Sequence, residues 1–243
     1  MTTEKKLLRA RWRIDSEEYR IKALSSSTAN RPGEASFLIA CPDFGRNDSR
    51  FAAWQGEPVQ GGLNTNMCAE KYNTAFDVFQ ELTDVPNGWY KLTCQGFYRA
   101  GVDGSATIDG ESNPRPALLY ANGETAPLMN ISQEQLTQYP DNMDEASEAF
   151  SNGKYADNEV FVKVSDGQLR IGIRKTVEVE KDWCIFDRFR LTYLGTKDID
   201  VGIKTHPQPL SVKEGSMYDL SGRPLLAPPS HGVFLHNGKK VVR

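Results

Sequence analysis

A chain of 243 residues can bury a sizeable core, either as one large domain or as a medium domain with appendages. Its formal net charge of -3 at pH 7 argues against a nucleic-acid binder, which needs a basic face, and no apolar run approaches the roughly 20 residues that span a bilayer. Twenty glycines, 13 prolines and short aromatic-rich runs indicate β structure with many turns.

Residues 1–35 read differently from the rest. Leu8, Ala10, Trp12 and Ile14 alternate with Arg9, Arg11 and Arg13, which predicts a strand with a basic, solvated outer face. No apolar stretch of signal-peptide length follows the first lysines, and Ser25–Gly33 has linker composition. This segment is expected to be an N-terminal extension, left from a preceding domain or from a start that lost its export signal.

A sandwich is expected from residue 36 to 195. It opens at Ser36–Gly45, followed by short strands at Phe51–Gln55 and Met67–Tyr72. Next come Phe76–Leu82 and Trp89–Ala100, which alternate in period 2 and are expected to pair as a hairpin across Asp84–Gly88. Residues 101–115 form a long loop, and Asn122-Gly123 joins two short strands by a two-residue turn. Asp141–Phe150 is a helix, with a capping residue, an acidic first turn and Gly153 beyond its end. If Asp166-Gly167 is a two-residue turn, Val160, Val162, Val164, Leu169, Ile171 and Ile173 share one face of a second hairpin.

The run Asp182–Gly195 closes the sandwich. Ile185, Phe189, Leu191 and Tyr193 fall on one parity, and Asp187 falls with them. A buried acid must be paired, hydrogen-bonded or metal-bound. Calcium near Pro42–Phe44 is one partner for Asp187, and Arg99 or Arg190 is another. Beyond a connector at 196–214, residues 215–243 break into short strand-like pieces at Met217–Leu220, Arg223–Leu226, Gly232–Leu235 and Lys239–Arg243, a small β appendage.

Several blocks in order resemble the galactose-binding-like jelly rolls of secreted proteins from polysaccharide-degrading anaerobic bacteria. They include Cys41-Pro-Asp-Phe44, Phe76–Leu82, Gln95-Gly-Phe-Tyr-Arg99, Leu119-Tyr-Ala-Asn-Gly123, Ala149–Tyr155 and Asp182–Leu191. The resemblance implies an all-β jelly-roll sandwich with one short helix, a glycan partner and an extracellular or cell-surface location. The tail from Met217 is similar to the C-terminal sorting segments of such proteins, so other domains of a longer parent are expected partners. Cys41 and Gly45 replace the asparagine and glutamate usual in the family's opening strand. Since that glutamate helps hold calcium in related sandwiches, a structural calcium is disfavoured and no cofactor is expected.

The residues carry little sign of catalysis. All three histidines, His206, His231 and His236, lie outside the sandwich, and no Gly-x-Ser-x-Gly, phosphate-loop or His-x-x-x-His motif is present. No carboxylate pair is singled out for glycoside cleavage. The four cysteines, Cys41, Cys68, Cys94 and Cys184, form no Cys-x-x-Cys pair, and they allow three disulfide pairings or four buried thiols. Trp54, Trp89, Tyr98, Arg99 and Trp183 are the candidate ligand residues, with Tyr72, Phe79 and Tyr120 as further aromatics that stack on sugars if exposed and pack the core if not. The expected function is therefore non-catalytic carbohydrate binding, the alternative being a structural spacer or adhesion module.

Overall fold

The computed structural model describes residues 2–99 and 117–199, together with four short strands of the C-terminal segment. The expected loop at 101–115 and most of the 196–214 connector lie outside the described residues. Two antiparallel sheets face each other. The first contains β1 (Gly33–Glu34), β2 (Val59–Leu63), β3 (Asn66–Tyr72), β5 (Gly88–Arg99), β8 (Asn158–Val164) and β10 (Trp183–Gly195), in the order β2-β3-β10-β5-β8 with β1 also on β10. The second contains β4 (Phe76–Leu82), β6 (Leu118–Ala121), β7 (Glu124–Pro127) and β9 (Leu169–Lys175), in the order β4-β9-β6-β7. This is the expected all-β sandwich.

Both long hairpins expected from alternation are replaced by crossings between the sheets. β4 pairs with β9 rather than β5, and β8 pairs with β5 rather than β9. Alternation reports which face of a strand is buried, and two strands facing one core from opposite sheets satisfy it as well as two neighbours do. Accordingly Val160, Val162, Val164, Leu169, Ile171 and Ile173 are all buried in one cluster between the sheets. The crossing turns also hold each other: the Val85 amide donates to the Gly167 carbonyl at 3.0 Å, and the Gly167 amide donates to Asn87 Oδ1 at 3.1 Å. Gly167 sits at φ 75° and needs no Cβ there. The β6–β7 hairpin does form, with Ala121 opposite Glu124 and Asn122 at φ 52°.

The N-terminal alternation is overturned. Thr3–Leu24 is a helix, α1, whose N-cap Thr2 side chain accepts from the Lys5 amide. Leu7, Leu8, Trp12, Ile14 and Tyr19 are exposed on it, and only Leu24 is buried. Leucine, alanine, arginine and lysine are strong helix formers, and a run of seven alternating residues is too short to outweigh them. Phe51–Gln55 is likewise not a strand, because the Asp48 carboxylate accepts from the Arg50 amide and starts a 3-10 turn over Ser49–Ala53. Ser36–Leu38 is also 3-10, so the opening segment is mostly turns.

The expected helix over Asp141–Phe150 is α2 (Met143–Ser151). Its N-cap is Asn142, whose side chain accepts from the Glu145 amide. α2 covers the outer face of the first sheet and seals a second apolar cluster of Cys68, Phe97, Ile131, Ala146, Phe150, Tyr155, Trp183 and Ile185. The strands Met217–Tyr218 (β11), Pro224–Leu225 (β12), Val233–His236 (β13) and Lys239–Val242 (β14) form a separate sheet in the order β12-β11-β13-β14, within a compact unit of its own.

Strand β10 does not keep one parity throughout. A bulge between Asp187 and Arg190 sets two residues, Arg188 and Phe189, against one on β5, and Arg188 takes φ 50°. Before the bulge Cys184 and Phe186 face the inter-sheet core, while Trp183 and Ile185 face α2. After it Phe189, Leu191 and Tyr193 face the inter-sheet core. Asp187 therefore shares a face with Ile185 under α2, not with Phe189.

Candidate functional site

The five proposed ligand residues separate. Trp54 is 5 % exposed and belongs to the core: its indole N–H donates to the Cys41 carbonyl at 3.1 Å, and its ring lies 4.8 Å from Phe189 and 5.1 Å from Phe44. Trp89, at the far end of β5, is half-buried, donates to Asp198 at 3.2 Å and has the Lys163 ammonium 5.7 Å from its ring. Tyr98 is buried, and its hydroxyl donates to Asp182 at 2.8 Å. Asp182 also pairs with Lys175 inside the protein, where both side chains are 2 % exposed. Tyr98 thus serves a buried charge network and is not a surface platform. Among the further aromatics, Tyr120 is buried with its hydroxyl on Asp77 at 2.6 Å, and Arg170 lies 3.6 Å over the Phe79 ring.

Arg99 and Trp183 do come together, and the strand register explains how. Trp183 is opposite Arg99 on one side and Tyr72 on the other, so the three form a row across β5, β10 and β3 on the outer face, beside the start of α2. Trp183 itself is 3 % exposed, because the Arg99 guanidinium covers its ring at 4.8 Å. Tyr72, at 53 % exposure, is the aromatic that solvent can reach. Polar groups flank its neighbour Trp183. The Trp183 indole N–H donates to Glu70 Oε2 at 2.6 Å, and Arg99 Nη1 donates to Asp141 Oδ1 at 2.5 Å. Among the described residues, Arg99 Nε is buried with no acceptor.

An exposed ring in one row with Trp183, Arg99 and their carboxylate partners can stack on an apolar sugar face while those polar groups exchange hydrogen bonds with hydroxyls along the row. Glu70 and Asp141 were missed in the sequence. Glu70 had a signal, since it lies two residues before Tyr72 and so on the same strand face; Asp141 had none beyond its place before the helix cap.

Asp187 is fully buried near the same helix. Its Oδ2 accepts from the side-chain Nδ2 of Asn66 at 3.0 Å and its Oδ1 from the Arg188 backbone amide at 2.7 Å, with Arg188 Nε 3.8 Å away. Arg99 and Arg190, the partners proposed for it, instead hold Asp141 and Asp43. N–H donors face both carboxylate oxygens, an environment unlike the oxygen shell that calcium takes. Among the described residues, no group of three or more His, Cys, Asp or Glu side chains could hold a metal ion. Burial pushes the Asp187 carboxyl up to about 7, against the lowering effect of its two hydrogen bonds. All four cysteines are free and buried. Burial raises every one of their thiols, Cys41 to about 11, the opposite of what a nucleophilic thiolate needs.

No protein-family model matches the chain, and no curated protein matches it. Among solved structures it is similar to a protein from Bacteroides thetaiotaomicron VPI-5482 named "putative sugar binding protein", at 12 % identity over 70 % of this chain and 90 % of that one, with a TM-score of 0.28. A likeness of that size carries no argument about what the chain does.

Proposed function

We propose that the chain is a non-catalytic carbohydrate-binding module of a secreted or cell-surface protein. The observation that carries the reading is the row Tyr72–Trp183–Arg99, in which an exposed ring lies in register beside Trp183, and Trp183 in turn is held by Glu70 and by the Arg99–Asp141 pair. The blocks shared with galactose-binding-like jelly rolls support it, as does a sandwich sequence without histidine. The extracellular assignment rests on that resemblance and on the tail from Met217.

The test is a calorimetric titration of neutral plant and host-type polysaccharides against the whole 243-residue chain. One of them is expected to bind, and Tyr72→Ala is expected to weaken it at least about tenfold, the size of a lost stacking contact. Thermal melting should be unchanged, since Tyr72 is exposed. If no polysaccharide binds at millimolar concentration, the spacer reading replaces this one. The observation favouring that alternative is that Trp54, Tyr98 and Trp183 are all spent on packing.

A further inference from the structure

Beside the row lies a cleft of 370 Å³, between the chain leading into α2 and the outer side of that helix. Leu136, Tyr139, Pro140 and Ala149 give it an apolar lining, and Gln138, Glu148 and Asn152 add polar side chains. These three make no hydrogen bond or ion pair among the described residues, whereas the other charged lining groups are engaged. Glu145 accepts from the Asp141 amide at 2.8 Å and from Asn142 Nδ2 at 2.8 Å, and Lys154 pairs with Glu134 at 3.5 Å. Asp141 joins the cleft to the row, with its carboxylate on Arg99 and its amide on Glu145.

The charges around this surface are lopsided. On α2 and the chain leading into it stand Glu134, Asp141, Asp144, Glu145 and Glu148, and among the described residues the two cations paired with this set, Arg99 and Lys154, are already held by Asp141 and Glu134. An anionic ligand would meet uncompensated like charge, and such repulsion discriminates between ligands more sharply than added attraction does. The volume lies at the low end of the range for small-ligand pockets, which suits part of a longer molecule.

We infer that the cleft is a second subsite for the same glycan, so that the ligand is an extended, uncharged or amine-bearing sugar chain running from Tyr72 past Arg99–Asp141 to Tyr139, and not a uronate or sulfated one. The inference rests on the carbohydrate-binding reading. Here Tyr139 supplies a stacking ring, while Glu148, Gln138 and Asn152 supply an acceptor and two amides for hydroxyls.

The experiment titrates the full chain with a di- and a hexasaccharide of the neutral sugar that binds best, and with hexagalacturonate. The hexasaccharide is expected to bind at least about tenfold tighter than the disaccharide, the gain of one further contact region. Glu148→Ala and Tyr139→Ala should each remove most of that gain while leaving the disaccharide unchanged. Glu148 is exposed and unpaired, so its variant keeps the fold, and an unchanged thermal midpoint checks both. Equal affinity for both lengths, with Tyr72→Ala still abolishing binding, overturns the second subsite and leaves the module reading standing. Hexagalacturonate binding as tightly as the neutral chain overturns the charge selectivity. Failure of every saccharide, long or short, overturns both readings.

Discussion

Replacing Asp182 with alanine is expected to destabilise the protein by about 3–5 kcal/mol, the usual cost of leaving one member of a buried ion pair uncompensated. Lys175 and Asp182 are each 2 % exposed, and Asp182 also accepts the Tyr98 hydroxyl. Without the carboxylate, the Lys175 ammonium must stay charged in a dry interior or lose its proton, and Tyr98 loses its acceptor. Urea unfolding of the purified chain measures the effect. The double variant Asp182→Ala, Lys175→Met should recover most of the loss, because replacing a whole buried pair with apolar groups is often close to neutral. A single variant within 1 kcal/mol of the parent would contradict the buried network.

The second large effect is a dependence on pH that runs opposite to ordinary acid denaturation. Asp187 has its carboxyl raised from 3.8 to about 7 in the folded chain. Below pH 4 the group is protonated in both the folded and unfolded states and costs nothing. Between pH 4 and 7 the unfolded chain releases this proton while the folded chain keeps it, so the stability contributed by the group falls as pH rises, and it levels off above 7. At 1.36 kcal/mol per pH unit the loss amounts to roughly 4 kcal/mol. Other carboxylates add slopes of their own, so the quantity to measure is the difference between the parent and Asp187→Asn. The variant should gain on the parent steadily from pH 4 to 7, whatever fixed penalty the amide brings against Asn66. Parallel stability curves would show that Asp187 ionises as freely as an exposed acid.

What the sequence made legible followed from local physics. β4, β5, β8 and β9 could be placed from alternation, β6 and β7 from the Asn122-Gly123 turn, and α2 from its cap and acidic first turn, because those signals are carried by a few adjacent residues. Partnership between strands was not legible. Val162 and Ile171 meet in one core from two sheets, and no short-range pattern separates that from a hairpin. The N-terminal misreading had a related cause, since seven alternating residues satisfied period 2 within a segment whose composition favours helix. For the site, aromatic identity marked Trp183 and Tyr72 alike. Which ring reaches solvent was decided by Arg99 lying over Trp183, a contact between strands that are 84 positions apart in the chain at Arg99 and Trp183.

The bulge in β10 has a consequence for how the gene can change. Arg188 is the residue that breaks the alternation: with it removed, Phe189 would stand opposite Cys94 and every later residue would keep its present face. The strand thus carries one residue more than its two cores require. That surplus residue is a clasp, since Arg188 Nη1 donates to the Phe150 carbonyl at the end of α2 at 3.0 Å and Nη2 donates to Asn66 at 3.2 Å. An in-frame loss of codon 188, normally ruinous in a central strand, would here leave both cores in phase, while undoing the fastening of the helix and taking from the buried Asp187 the Arg188 amide and guanidinium beside it.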